Sequence, residues 1–259
     1  MDKEFVDYGE RVFPDGEKYL GGIKNGKMHG HGQLILPTGE SFVGQFRNDK
    51  YDGHGIFTFS DGCTYIGMFK EGLEGIYGKY CFLDGSACEG QFNKDRELHG
   101  YGKYSEEDGT LYIGQWKHGK LHGHCVCIYS DGTRYTGECR DHVYHIHGTL
   151  VKASGEIYTG QWKDGKYHGH GNYTFSDGTR YEGEFKENKR DGFGSMFYIS
   201  GAKFSGNWRN DFETGSGIFT DSNGNQMDYK FNKKQIRVEG KNEELKIISL
   251  DEYRIKNRL

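Results

Sequence analysis

Proline is nearly missing from this chain, with 2 residues in 259. That excludes Pro-rich linkers and polyproline segments. Long apolar runs are missing as well, and no stretch approaches the roughly 18–20 residues that a membrane-spanning helix needs. The opening residues, MDKEFVDYGERV, have no apolar core of the kind a secretory signal carries. Strong charge of either sign is also lacking. A formal net charge of -4 argues against nucleic acid as a partner. Cysteines number only 6, and without a secretory signal they read as reduced thiols of a cytoplasmic protein.

Glycine is the residue in excess, at 42 of 259. That is well over twice the usual share of about 7%. Glycine without proline, held to a fixed spacing, indicates repeated tight turns rather than disorder. The spacing is 23 residues: Tyr158–Arg180 reads YTGQWKDGKYHGHGNYTFSDGTR and Tyr181–Lys203 reads YEGEFKENKRDGFGSMFYISGAK. Nine units begin at Tyr19, Phe42, Tyr65, Cys88, Tyr112, Tyr135, Tyr158, Tyr181 and Phe204. A short fixed period marks a repeat architecture in which each unit packs on its neighbours, so an extended binding surface is expected rather than an enclosed active site.

Within a unit, Tyr158, Gly160 and Trp162 alternate with Thr159, Gln161 and Lys163. Alternation of period two is a strand with one apolar face. Gly171, Tyr173 and Phe175 share a face in the second half of the same unit. A loop such as Asp164-Gly165 separates the halves, and Ser-Asp-Gly-Thr joins one unit to the next. Asp-Gly there predicts a two-residue hairpin turn. The expected fold is all-β: an elongated, twisted, single antiparallel sheet of two-stranded hairpins. Glycine at the third position, from Gly21 to Gly206, predicts close approach by neighbouring rings. The domain organisation follows: residues 1–18 as an N-terminal half-repeat cap, 19–226 as nine repeats, and 227–259 as a partial repeat with a charged tail. Ser249-Leu-Asp-Glu252 is a capping-box pattern that predicts a short helix over Leu250–Arg258, as a cap or as a partner-binding helix.

The motif Y-x-G-x-[FW]-x-x-G-x-x-x-G-x-G-x-x-x-x-x-D-G resembles the membrane occupation and recognition nexus (MORN) repeat, and Tyr112–Arg134 and Tyr158–Arg180 fit it almost residue for residue. The resemblance implies a scaffold or tether of the cytoskeleton, a cilium or flagellum, or a membrane-linked cortex. It carries no chemistry, so no catalytic residue is transferred. The middle of the chain departs from the pattern. Ile76 and Ile146 replace the first Gly of Gly-x-Gly, Cys125 replaces the second, Cys88 and Cys139 replace aromatics, and the fourth unit has one extra residue before Gly100.

Four candidate sites remain. Gly21–Lys27, Gly114–Lys120 and Gly160–Lys166 match the first seven positions of a phosphate-binding loop. Met28, Leu121 and Tyr167 stand where Ser or Thr should hold magnesium, and strands flank the loops, so the repeat itself makes the match. Cys125, Cys127 and Cys139 share the inward phase and lie among His118, His122, His124, His142, His145 and His147. Packing cysteines are preferred over a zinc site, because His precedes Gly throughout the repeat and no C-x-x-C occurs. Lys117, Arg140, Lys163, Lys186 and Arg209, at the sixth position, form a basic face opposite the rings. Such a face suits an anionic lipid, which makes a phosphoinositide-binding tether the alternative function, although pairing with Glu138 and Glu184 would leave it a solvated surface.

The preferred site is the aromatic face: Tyr112, Trp116, Tyr158, Trp162, Tyr181, Phe185, Phe204 and Trp208, taken as an open groove for an extended or helical protein segment or for a second copy of the chain. Almost every Asp sits in a turn and almost every His in the repeat, so no Ser-His-Asp or paired-carboxylate arrangement can be assembled. No enzymatic activity, small-molecule substrate or cofactor is expected.

Overall fold

The computed structural model describes residues 7–232 and two further short strands, 235–239 and 246–248. The described residues contain no helix. The helix expected over Leu250–Arg258 lies outside them. They divide between Gly123 and His124 into two compact units. In each, the fold is an open antiparallel sheet of tandem hairpins.

In the first unit, Asp7–Val12 pairs with Lys18–Lys24, which pairs in turn with Lys27–Ile35, and the meander continues to Leu111–Lys117. In the second unit, Arg134–Arg140 pairs with Val143–Val151, and the same succession runs to Gln226–Asn232 and Gln235–Glu239. The departures at Ile76, Cys88 and Ile146 do not interrupt it: the strands that carry them pair in order with their neighbours.

The registers line glycine up with glycine. Gly160 faces Gly148 on one side and Gly171 on the other, and Gly183 faces Gly171 and Gly194. The leading ring of each unit lies over this bare row. A Cβ on Gly160 would stand 2.5 Å from Gly171 Cα and 2.7 Å from Tyr158 Oη. The Tyr158 hydroxyl donates to the Gln161 carbonyl at 2.7 Å. Its ring meets Trp162 and Phe185 edge-on, at 5.3 and 5.2 Å between centroids. Edge-to-face contacts of this kind contribute about 0.5–1.5 kcal/mol each beyond area burial. The first unit builds its core from the same parts, with Tyr19, Phe42 and Tyr65 fully enclosed.

The turns are the reverse of the sequence-based expectation. The two-residue connection lies inside the units, the fourth excepted: Asp164 and Gly165 both have positive φ, 50° and 75°, as a twist-matched hairpin turn requires. The Asp-Gly between units sits in a three-residue connection. There the Phe175 N–H donates to the Thr179 carbonyl, and the Gly178 N–H donates to the Phe175 carbonyl. Asp177 accepts the Thr179 N–H at 2.8 Å, which explains why Asp recurs there. The extra residue closes the turn with Gly178 at φ 89°.

Eight hairpins within units also carry a register shift just after the third-position glycine, as between Gly160 and Trp162. The fourth-position side chain stabilises that irregularity. Gln161 Oε1 accepts the His170 N–H at 2.9 Å, and Gln45 and Glu184 do the same for His54 and Phe193.

Candidate functional site

Tyr158, Trp162, Tyr181, Phe185, Phe204 and Trp208 are all buried in the second unit. They were expected to stand open to a partner, and they do not. The leading rings lie flat on the glycine row, and the next layer of rings covers them. Tyr144 stacks on Tyr135 at 3.6 Å and Tyr167 on Tyr158 at 3.8 Å, with ring planes within 11° and 19°. The tryptophans are tied down as well: Trp162 Nε1 donates to the Gly148 carbonyl at 3.0 Å, and Trp208 Nε1 to the Gly194 carbonyl at 3.3 Å. In the first unit, Trp116 is buried with Nε1 on the Gly102 carbonyl, and Tyr112 is half-buried beside Tyr104.

A cavity opens one layer higher, lined by rings in the second half of the repeat. A cavity of about 710 Å³ lies in the second unit, and Tyr144, Tyr167, Tyr173 and Phe175 form its aromatic wall. Of the eight rings expected to form the groove, Trp162 and Phe185 reach this cavity. Alternation along the strand Lys166–Thr174 turns Tyr167 and Tyr173 to one side, while the following connection places Phe175 against Tyr173 at 4.7 Å.

Two cations border the wall. Lys152 Nζ donates to Glu156 at 3.0 Å and to the Tyr173 hydroxyl at 3.2 Å. Burial pulls its pKa down, but the bonds to Glu156 and Tyr173 outweigh that and hold it above the ordinary lysine value. The Arg190 guanidinium lies 4.4 Å from the Trp208 ring centre and 5.8 Å from that of Phe175, and it is anchored to Asp211 through Nε at 3.2 Å. Burial raises the Tyr167 phenol to about 12. The site therefore offers ring faces, two oriented cations and their partner carboxylates. It can hold a chain segment that supplies apolar side chains and a few polar groups.

The first unit has a cavity of about 630 Å³ at a similar place in its repeats, lined by Tyr51, Phe57, Phe59 and Tyr80. There Glu74 accepts two bonds from Arg96, at 2.9 and 3.0 Å, and Arg96 lies over Phe59.

The basic face is exposed at Lys117, Arg140, Lys163, Lys186 and Arg209. The expected pairing with Glu138 and Glu184 does not occur, since Glu138 reaches His124 at 3.4 Å and Glu184 holds the Phe193 N–H.

The structure brings Cys125, Cys127 and Cys139 together, with all three sulfurs within 4.8 Å of one another. Cys125 and Cys139 are joined in a disulfide, which corrects the reading of all six cysteines as reduced thiols. Inward-facing positions on neighbouring strands place their Cα atoms 6.1 Å apart, within the span a disulfide bridges. Cys127 remains a thiol, and burial raises it to about 11.

The family model for the MORN repeat matches residues 19–41, 42–64, 112–134, 158–180, 181–203 and 204–226, together just over half of the chain. The units that begin at Tyr65, Cys88 and Tyr135 are not among the matched segments, and they are the ones that carry Ile76, Cys88, Cys139 and Ile146. No curated protein matches the chain. Among solved structures, it is similar to the TCP10 domain of Danio rerio CPAP in complex with a peptide of STIL. The identity is 13%, the coverage 94% of this chain and 99% of that one, and the TM-score 0.39. It is also similar to the SAS-4 TCP domain of Drosophila melanogaster in complex with a proline-rich motif of Ana2, at 13% identity, covering 86% and 90%, with a TM-score of 0.26.

Proposed function

The chain belongs to the MORN-repeat family, and on that premise we propose that this repeat scaffold is a non-enzymatic adaptor that captures an extended segment of a protein partner. The observation that carries this reading is the cavity in the second unit, whose wall is formed by the half-buried rings of Tyr144 and Phe175 with the buried rings of Tyr167 and Tyr173 behind them. Tyr and Arg beside a well-packed pocket are among the usual anchors of a protein interface. Lys152 and Arg190 give the wall polarity, so an occupant with one or two carboxylates among apolar side chains suits it best. A cytoskeletal setting, in a cilium, flagellum or cortex, fits the family.

The test is affinity purification from the native cell with the full chain as bait, followed by cross-linking to map the contact. Cross-links that cluster around Lys152 and Lys166 support the groove. A partner that cross-links only to lysines on the opposite face overturns it. Recovery of a second copy of the chain in the groove replaces the adaptor reading with self-association.

A second reading rests on the basic face. Arg140, Lys163, Lys186 and Arg209 are exposed and make no ion pair among the described residues. Charges of this kind contribute about 1 kcal/mol each next to an anionic membrane. Sedimentation with phosphatidylinositol-phosphate vesicles that fades as salt rises supports that tether, and no sedimentation at low salt removes it.

A further inference from the structure

Half of the chain's six cysteines meet at one point of the second unit. Each stands where other units carry a different residue. Cys125 occupies the second Gly of Gly-x-Gly, Cys139 occupies the fifth-position ring, and Cys127 stands where the adjacent units have Tyr104 and Leu150. Three separate departures from the repeat thus converge on a single spot of the core. If cysteine served there only as a small packing residue, the three changes would have no reason to meet.

All three residues are buried, at 3%, 2% and 3% exposure. Among the described residues, no His, Asp or Glu joins the group. We propose that reduction of the Cys125–Cys139 disulfide opens a three-sulfur site that binds one copper(I) ion.

The metal follows from the donor set. Thiolates are soft ligands that select copper(I), zinc or iron–sulfur clusters. Structural zinc takes four ligands, and a three-ligand zinc site completes its shell with water. Here, among the described residues, there is no fourth protein donor, and no His, Asp or Glu lies near enough to orient a coordinated water. A monovalent ion content with three sulfurs meets both constraints. Sulfurs around one metal at a bond length of ~2.3 Å lie about 4 Å apart, so the cluster needs little rearrangement. The Tyr144 hydroxyl bonds to Cys127 and is itself bonded to the Tyr129 hydroxyl, which fixes the position of this sulfur.

The chemistry balances in two steps. A cellular dithiol reduces the disulfide to two thiols and is itself oxidised to a disulfide. Copper(I) then displaces three protons from three thiols to form a trigonal thiolate complex. Oxidation and metal loading are therefore mutually exclusive states of the same sulfurs.

The test uses the full chain, reduced with dithiothreitol under nitrogen, desalted, and titrated with copper(I) in competition with bicinchoninate. The expected result is one copper per reduced chain and none on an oxidised aliquot, with three sulfur neighbours by X-ray absorption. Cys125→Gly restores the residue that the repeat uses elsewhere, so it keeps the fold. It should weaken copper retention by at least about tenfold, as should Cys127→Ala, while Cys88→Ala should leave retention unchanged. Circular dichroism checks each variant. The proposal fails if the reduced wild type gives up its copper to the chelator, if Cys125→Gly retains it, or if zinc binds with equal stoichiometry and displaces it.

Discussion

Gln161 and Gly169 occupy each other's space: a Cβ on Gly169 would land on the Gln161 Oε1 that accepts the His170 N–H. The glycine also has φ 58°, where an L side chain is strained. Steric overlap and backbone strain therefore act together in Gly169→Ala, which should cost about 2–3 kcal/mol. Gln161→Ala alone leaves one N–H without its partner and should cost about 1 kcal/mol. In the double variant the overlap is gone, so the loss should be smaller than the sum. Strict additivity in urea unfolding would show that the two residues do not interact.

Ile146 supplies the opposite experiment. It stands at the position Gly169 holds one unit later, yet it is β-branched and has φ 58°. That is a true outlier for this residue type. Its side chain is mostly exposed, so little packing compensates. Ile146→Gly should raise stability by about 1 kcal/mol, the relief of strain exceeding the entropy cost of glycine. A lower melting temperature would mean that Ile146 makes a packing contribution larger than its exposure implies.

Much of the fold was legible in the sequence because two periods coincide in it. The period of 23 sets the unit, and alternation sets the faces, so the strands and the glycine row follow from Tyr158, Gly160 and Trp162 alone. Gln161 was missed because an alternating polar residue reads as solvated, and only the register shift turns it back to the neighbouring strand. The turns were exchanged because Asp-Gly serves both two-residue and three-residue connections, and composition does not distinguish them. The site was placed one layer too deep. Sequence marks Trp162 and Tyr181 as inward but cannot show that Tyr144 and Tyr167 stack over their layer and become the outer wall. The disulfide depends on a pairing between strands that spacing alone does not specify.

The two faces of the sheet should differ sharply in their tolerance. Trp162 packs against Tyr135, Tyr144 and Tyr158 and donates to Gly148, so Trp162→Ala removes a ring and leaves a carbonyl short of its donor. The expected loss is about 3–5 kcal/mol. Lys163 is exposed on the other face, and Lys163→Ala should change stability by less than about 0.5 kcal/mol. Guanidinium unfolding monitored by fluorescence would separate them, and similar midpoints would contradict the assigned faces.

Stability should fall steeply in alkali. Burial raises the phenols of Tyr135, Tyr158, Tyr167 and Tyr181 above the ordinary tyrosine value, that of Tyr167 to about 12. The folded chain therefore keeps these protons when the unfolded chain has released them. The contribution is complete below about pH 10, the unfolded value. It is lost as pH rises through about 12. Phenolate absorbance should thus appear cooperatively with unfolding. A gradual titration of all tyrosines near pH 10 in folded protein would show that the rings are open to water.

The groove can be separated from the core beneath it at Phe175, an outer ring that is not fully covered. Phe175 is half-buried, whereas Tyr173 behind it is buried with its hydroxyl bonded to Lys152 and Glu156. Phe175→Ala exposes little new core, since its contacts are with Tyr173 and the stacked Arg190. It should weaken binding of the captured segment by at least about 1–2 kcal/mol, in the range of an interface anchor. Lys152→Met keeps the aliphatic stem and removes the charge, so it should act on a carboxylate of the segment and leave the aromatic contacts intact. If calorimetry shows full affinity for both variants while Lys163→Glu and Lys186→Glu abolish it, the partner sits on the basic face instead. A loss with Phe175→Ala and none with Lys163→Glu assigns recognition to the outer ring layer, the layer that becomes visible only once the strands are stacked.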